Sequence, residues 1–263
     1  MSSRTVLRVA AAQAKVSNVL AENLTGILGV LDREARREVD LVVFPEAALS
    51  GYGVQLGALR APGEWPAIEA ALQSVAEAAQ RLRLWVALGC DAWDGGAWVN
   101  RVFVYNDAGE LAAHYDKVHL TGDDARCYRP GRRDVSFDLR GVRVGLQICY
   151  DVRFPEGCRA LLDQGVRLVL HPFCAVGSGT WKLPVLAAHL RSRAAENGVF
   201  VVAANAAGPL QMVVSQIIDP DGLVLAAANQ DRVEVIEANL DLDHVQHLGI
   251  RDDYLTRYRY PLS

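Results

Sequence analysis

Three residues of reactive or charged type each close an apolar, strand-like run. Glu46 follows Leu41-Val42-Val43-Phe44-Pro45, Lys117 follows Ala112-Ala113-His114-Tyr115-Asp116, and Cys149 follows the run from Val142 to Ile148. A thiol is a weak nucleophile until it loses its proton. A nearby carboxylate can accept that proton as general base and return it to a leaving amine. An ammonium favours the thiolate and stabilises the oxyanion of a tetrahedral intermediate, and a backbone N–H just after the nucleophile supplies a second donor. Together these groups suit acyl transfer from an amide. Each also has a structural explanation: Glu46 as a helix cap or arginine partner, Lys117 as a surface charge, Cys149 as a small buried hydrophobe. Spacing alone does not bring the three together.

Other chemistries find less support. The five cysteines, Cys90, Cys127, Cys149, Cys158 and Cys174, are odd in number and irregular in spacing. A disulfide framework is therefore not expected. No CxxC or HExxH occurs, so no metal site is expected, and neither a GxGxxG after the first strand nor a P-loop is present. Net charge is −4, from 27 basic and 31 acidic residues, with no basic block, which argues against nucleic acid as a partner. Apolar runs such as 199–204 are far shorter than the ~18 residues that span a bilayer. The N-terminal stretch lacks the pattern of a secretory signal, so a soluble cytoplasmic protein is expected.

Positioning these residues requires a framework. With 263 residues and 51% hydrophobic content, the chain can bury a sizeable core, read as one α/β domain over 1–263. Strand-like runs occur at 5–14, 40–46, 84–89, 141–149, 167–173, 199–207 and 232–240. Helical spacing marks 18–37, 67–82, 156–164 and 183–197, the last ended by Gly198, and a short helix is expected over 241–248. Hairpins are read at 99–117 and 213–228, turning at 106–109 and 219–222. Strand–helix units mixed with hairpins predict mixed sheets. In such folds strand ends converge on one rim where sites are built.

The segments FPEAALSGY (44–52), YDKVHL (115–120) and ICYDVRFPE (148–156), in this order, resemble the glutamate, lysine and cysteine motifs of the nitrilase superfamily of carbon–nitrogen hydrolases. LRSRAAENGVFVVAANAAG (190–208), SQIIDPDG (215–222) and RDDYLTRYRYP (251–261) extend the resemblance along nearly the whole chain. It implies a four-layer α-β-β-α sandwich, two mixed sheets flanked by helices. It also implies a catalytic triad of Glu46, Lys117 and Cys149, with the backbone N–H of Tyr150 joining Lys117 in the oxyanion hole. No metal or organic cofactor is implied.

Tyr150-Asp151 after the cysteine resembles the amidase branches that act on small aliphatic or ω-amides. Nitrilase or N-carbamoyl hydrolase activity on the same triad, or a non-catalytic scaffold or regulatory subunit, are the alternatives. One departure stands out. Relatives usually carry a second glutamate in the loop after the lysine motif, whereas HLTGDDARCYRPG (119–131) has none. Alignment from Tyr128 places Asp124 there, with Asp123 or Ala125 as the alternatives when counting from His119. Asp124 is expected to orient Lys117 or the substrate, or else to be a solvated or capping aspartate.

Six histidines (His114, His119, His171, His189, His244 and His247) permit a rival Cys-His arrangement. His119 is expected to support its loop. His171, Phe173, Cys174 and Trp181 are read as accessory or substrate-lining, with structural roles as the alternative and Cys174 read as either exposed and oxidisable or packed. Arg126, Arg129 and Arg153 are candidate partners for a substrate carboxylate, surface ion pairs being the plainer reading. The resemblance also implies a homodimer or larger even homo-oligomer, with 249–263 as a dimer-contact segment rich in Tyr and Arg.

Overall fold

A computed structural model describes residues 6–53, 60–177, 179–243, 245 and 249–257. The strand β1 (Val6–Gln13) shows how the sequence pattern sets the layers. Its odd-numbered Val9 and Ala11 enter one apolar core and its even-numbered Ala10 and Ala12 another. The same alternation separates Leu41 and Val43 from Val42 in β2 (Leu41–Val43), as a period of two residues requires. A sheet buried on both faces reads as a continuous apolar run.

The first sheet has the order β12-β1-β2-β3-β4-β5, with β3 at Trp85–Trp93, β4 at Trp98–Tyr105, β5 at Leu111–Asp116 and β12 at Glu234–Asp241. Strands β1, β2 and β3 run parallel and the flanking pairs antiparallel. The second sheet has the order β11-β10-β9-β8-β7-β6. Its strands are β6 (Val135–Leu139), β7 (Val142–Leu146), β8 (Leu168–Phe173), β9 (Phe200–Asn205), β10 (Gln216–Ile218) and β11 (Val224–Ala227). Here β7, β8 and β9 are parallel.

Three apolar layers hold these sheets. Leu41, Val43, Leu146, Leu170 and Val202 meet between the sheets. The helices α1 (Leu20–Ala35) and α2 (Trp65–Leu82) pack Ile27, Leu31, Leu72 and Val75 on the outside of the first sheet. On the outside of the second, α3 (Pro155–Asp163) and α4 (Leu183–Asn197) pack Leu161 and Leu190 against Val169 and Val201. Each such buried Val, Leu or Ile side chain is worth about 1.5–3 kcal/mol. The fold is the expected four-layer α-β-β-α sandwich with two mixed sheets. Gly198, at φ 58, closes α4 as read from the sequence.

Two elements differ from expectation. β6 pairs with β7 as a hairpin whose two turn residues, Arg140 and Gly141, have φ of 50 and 83. That is the twist a two-residue hairpin needs, but no Asn-Gly or Asp-Gly marked it. The short helix expected over 241–248 is not formed at its start, because β12 runs on to Asp241 opposite Val6. Residues 244 and 246–248 lie outside the described residues, and the helix of this region is α5 (Gly249–Arg257).

Candidate active site

Strand ends of both sheets deliver the reactive groups to one buried cluster. Beyond β2, Pro45 and Glu46 enter a turn in which Ala47 takes φ 54. This turn lies on β3 at Gly89, where an added Cβ would sit 2.2 Å from Pro45 O and 2.6 Å from Glu46 Cα. Lys117 follows β5 directly. Cys149 opens a 3-10 turn, Cys149–Arg153, and takes φ 46 after the extended Ile148. A non-glycine residue in the left-handed region costs roughly 1–2 kcal/mol, so the surrounding bonds must hold it.

Asp151 provides that hold. Its Oδ2 accepts the Ile148 N–H at 2.9 Å and the Tyr115 hydroxyl at 2.8 Å, and its Oδ1 accepts the His119 N–H at 2.9 Å. His119 Nδ1 lies 2.8 Å from the same Oδ1, and its ring stacks on Phe154 at 3.8 Å. His171, buried beneath the turn, donates from Nε2 to the Cys149 carbonyl at 3.1 Å.

Glu46 lies at the centre and is inaccessible to solvent. Its Oε1 accepts from Lys117 Nζ and from Asn100 Nδ2, each at 2.7 Å. Oε2 accepts the Cys174 N–H at 2.8 Å, and the charge of the same carboxylate acts on the Cys149 thiol. Lys117 Nζ also donates to Asp124 Oδ2 at 2.7 Å. Asp124 is fully buried, takes the Thr121 N–H at 3.0 Å and receives a close hydrogen bond from the Tyr52 hydroxyl. Tyr52 is held in turn. The next residue, Gly53, donates its N–H to the Tyr128 hydroxyl at 3.0 Å, and Tyr128 donates to Asp91 at 2.9 Å. Arg60 Nε closes that network on Asp91 at 2.8 Å.

The charges follow from this packing. Burial works against the Lys117 ammonium, but Glu46, Cys149 and Asp124 outweigh it and keep the proton on the lysine. Burial alone would raise Asp124; Lys117 and its hydrogen-bond donors bring it below the usual carboxylate range. Burial, and next the Glu46 carboxylate, push the Cys149 thiol well above its ordinary value, with Lys117 opposing. In the resting site sulfur therefore carries its proton beside the Glu46 side chain. The arrangement sets a thiol and a carboxylate beside an ammonium that is fixed by two carboxylates.

The remaining residues singled out in the sequence are distributed as follows. Phe173 is buried among the side chains under α3 and α4 and stacks on His171 at 4.6 Å, while its carbonyl accepts the Glu46 N–H at 3.2 Å. Cys174 is 5% exposed, so it is packed rather than an exposed oxidisable thiol. Trp181 stands in solvent at 68% exposure and is not brought to the cluster. Arg126 and Arg129 form ion pairs with Asp123 and Asp94, and Arg153 is exposed. His114 is exposed on β5 and His189 half-buried on α4, and His244 and His247 lie outside the described residues. Asn100 and the bracing role of Asp151 escaped the sequence reading. A lone amide inside the apolar strand VNRVFVY was the available signal for Asn100.

Comparison with known proteins identifies relatives of the chain and of its fold. The carbon-nitrogen hydrolase family model matches residues 8–249. An (R)-stereoselective amidase of Pseudomonas sp. is 34% identical over 235 residues, covering 86% of this chain and 82% of the relative. The omega-amidase of Homo sapiens is 28% identical over 259 residues, covering 90% of each. Among solved structures, an amidase from Nesterenkonia sp. superposes with a TM-score of 0.80 at 25% identity, covering 92% of this chain and 93% of that one. A further structure of that amidase shows the result of Michael addition of acrylamide at its active-site cysteine, at TM-score 0.80 and 25% identity over 92% of this chain and 96% of that one. With the matching model spanning nearly the whole chain, and relatives and fold in accord, this protein belongs to the carbon-nitrogen hydrolase family, within the nitrilase superfamily.

Proposed function

We propose that the chain hydrolyses a small aliphatic or ω-amide to a carboxylic acid and ammonia through a thioester on Cys149. The observation that carries this reading is the Glu46 carboxylate, paired with Lys117 Nζ at 2.7 Å while its charge acts on the Cys149 thiol. As sulfur attacks the amide carbon, Glu46 takes the thiol proton. The carbonyl electron pair moves to oxygen, stabilised by Lys117 Nζ and the Tyr150 N–H. The intermediate collapses, the C–N bond breaks, and ammonia leaves with the proton from Glu46. Water then gives a proton to Glu46 and attacks the thioester. The C–S bond breaks, the acid departs, and the proton returns to sulfur.

Asp124 is a positioning residue in this scheme. The support for this is that the Tyr52 hydroxyl and Lys117 both reach its carboxylate, as a stand-in for the glutamate usual in this loop would require. His171 and Asp151 act through the backbone of the cysteine turn rather than on substrate. The amide preference is supported by Tyr150-Asp151 after the cysteine and by the amidases among the relatives. Nitrile and N-carbamoyl hydrolysis could use the same groups, and a non-catalytic scaffold would use none.

Product analysis on a panel of small amides, nitriles and N-carbamoyl compounds tests the proposal. It predicts equimolar acid and ammonia from amides. Consumption of nitriles alone, release of carbon dioxide with ammonia, or no turnover with a stable captured partner would each contradict it.

We further propose a homodimer or larger even assembly using 249–263, of which 258–263 lie outside the described residues. Ile250 on α5 is 53% exposed. No helix among the described residues is long and apolar enough to cross a membrane. A reducing compartment, the cytoplasm, suits a mechanism that needs Cys149 as a free thiol.

A further inference from the structure

The strands that carry the catalytic groups have a second face. Asn100 and Lys117 both reach Glu46, and their chain neighbours Arg101 and Asp116 stand opposite each other in the β4–β5 register. Successive side chains of a strand point to opposite faces, so Arg101 and Asp116 project away from the cluster. There they line a cleft of about 500 Å³ together with His114, Arg129, Arg132 and Arg133. This is within the size range of small-molecule sites.

The cleft is positively charged on a chain whose net charge is −4. Two of its four guanidiniums are matched: Arg101 pairs with Asp116 at 2.5 and 2.9 Å, and Arg129 pairs with Asp94. Arg132 and Arg133 form no ion pair among the described residues, although both also border a neighbouring cleft containing Asp134 and Glu156. Burial, then Arg101, lowers the His114 imidazole; Asp116 partly offsets this, and Arg133 lowers it further. Arg133 thus acts on the same space as the other cationic groups. The floor is fixed, because Arg129 N–H donates to Trp98 O and Gly131 N–H to Lys117 O, each at 2.8 Å. At Gly131 an added Cβ would lie 2.0 Å from Asp116 O, so the loop carrying the free arginines is seated directly on the catalytic strand.

We propose that this cleft binds a small oxyanion carrying two or more negative charges, with Arg132 and Arg133 as its principal partners. Guanidinium pairs recognise phosphate and carboxylate oxygens through paired N–H donors, and two unmatched guanidiniums call for at least two charges on the ligand. Pyrophosphate and citrate represent the two sources of that chemistry. Acetate, with one charge, is the control.

The test is isothermal titration of the intact protein with each anion at constant ionic strength, with the His114 ring followed by NMR. The expected result is binding of pyrophosphate, citrate or both at about millimolar concentration or below, with acetate inert. The tighter binder identifies phosphate or carboxylate as the preferred group. Arg132→Ala/Arg133→Ala should weaken binding by about tenfold or more. It should leave amide turnover unchanged, because both residues are exposed and outside the catalytic cluster. The bound anion should also raise the His114 pKa by offsetting the arginines. Absence of binding by both probes, equal binding of acetate, or binding that the double variant leaves intact would overturn the proposal. The titration does not depend on amide hydrolysis, so its failure is separate from failure of the proposed reaction.

Discussion

Glu46 is held from three sides, by Lys117, Asn100 and the Cys174 N–H, and so has little freedom to turn. Lys117 is held by Glu46 and Asp124 together. Replacing Asp124 with alanine removes one carboxylate from a buried ion triad, an operation that costs about 3–5 kcal/mol. Asp124→Ala is therefore expected to lower kcat for amides by about 100-fold or more, even where the folded protein can be isolated. Unchanged turnover would remove Asp124 from the site. His171 gives a pH signature of a different kind. Burial lowers its pKa from 6.5 to about 4, so the folded protein holds it neutral while the unfolded chain protonates it more readily. Its contribution is complete above pH 6.5 and is lost as pH falls toward about 4. Thermal melts of wild type and His171→Gln at pH 7 and pH 5 should show the smaller acid-induced drop in the variant. Equal drops would contradict this assignment. Much of this scale was legible. Glu46, Lys117, Cys149 and Asp124 were singled out because reactive types closed apolar runs or matched family motifs. Asn100 and the hub at Asp151 were not, because their roles depend on strand pairing and on a turn whose left-handed Cys149 no residue type announces.

Elements position these residues through close backbone approaches that side-chain patterns only partly reveal. β3 passes directly under the Glu46 turn, and Gly89 makes room for it. Gly89→Ala should force the turn outward, displace Glu46 from sulfur and lower kcat at least about tenfold, with a fold detectable by circular dichroism. A variant with normal kcat would show that the turn can shift freely. In the sequence Gly89 is only the last residue of the strand-like run 84–89; the turn at Pro45, Glu46 and Ala47 explains it. The main strands and helices were readable because apolar periodicity is strong where both faces of a sheet are covered. β6 was missed because its hairpin turns on Arg140-Gly141 rather than a marked pair, and α5 because its apolar periodicity is weak. Gly198 shows the opposite case, where one glycine at a helix end was sufficient.

On the scale of the whole molecule, two sheets bring the reactive groups together from distant parts of the chain. Glu46 and Lys117 belong to the first sheet's rim, whereas Cys149 and Cys174 belong to the second. The cluster exists only when the two sheets pack, so folding of the sandwich brings Glu46, Lys117 and Cys149 together in one event. The same pleat that turns Asn100 and Lys117 inward turns Arg101 and Asp116 outward, placing the proposed anion cleft back to back with the site. Multi-angle light scattering at micromolar concentration should give twice the chain mass or a larger even multiple; a monomer mass would defeat the proposed assembly. Everything proposed for the reaction turns on Cys149 as the nucleophile. The most direct test is ammonia release from the best amide substrate by wild type and by folded Cys149→Ala. Turnover in the wild type and a loss of at least about 10⁴-fold in the variant are expected. Turnover that survives the substitution would contradict it.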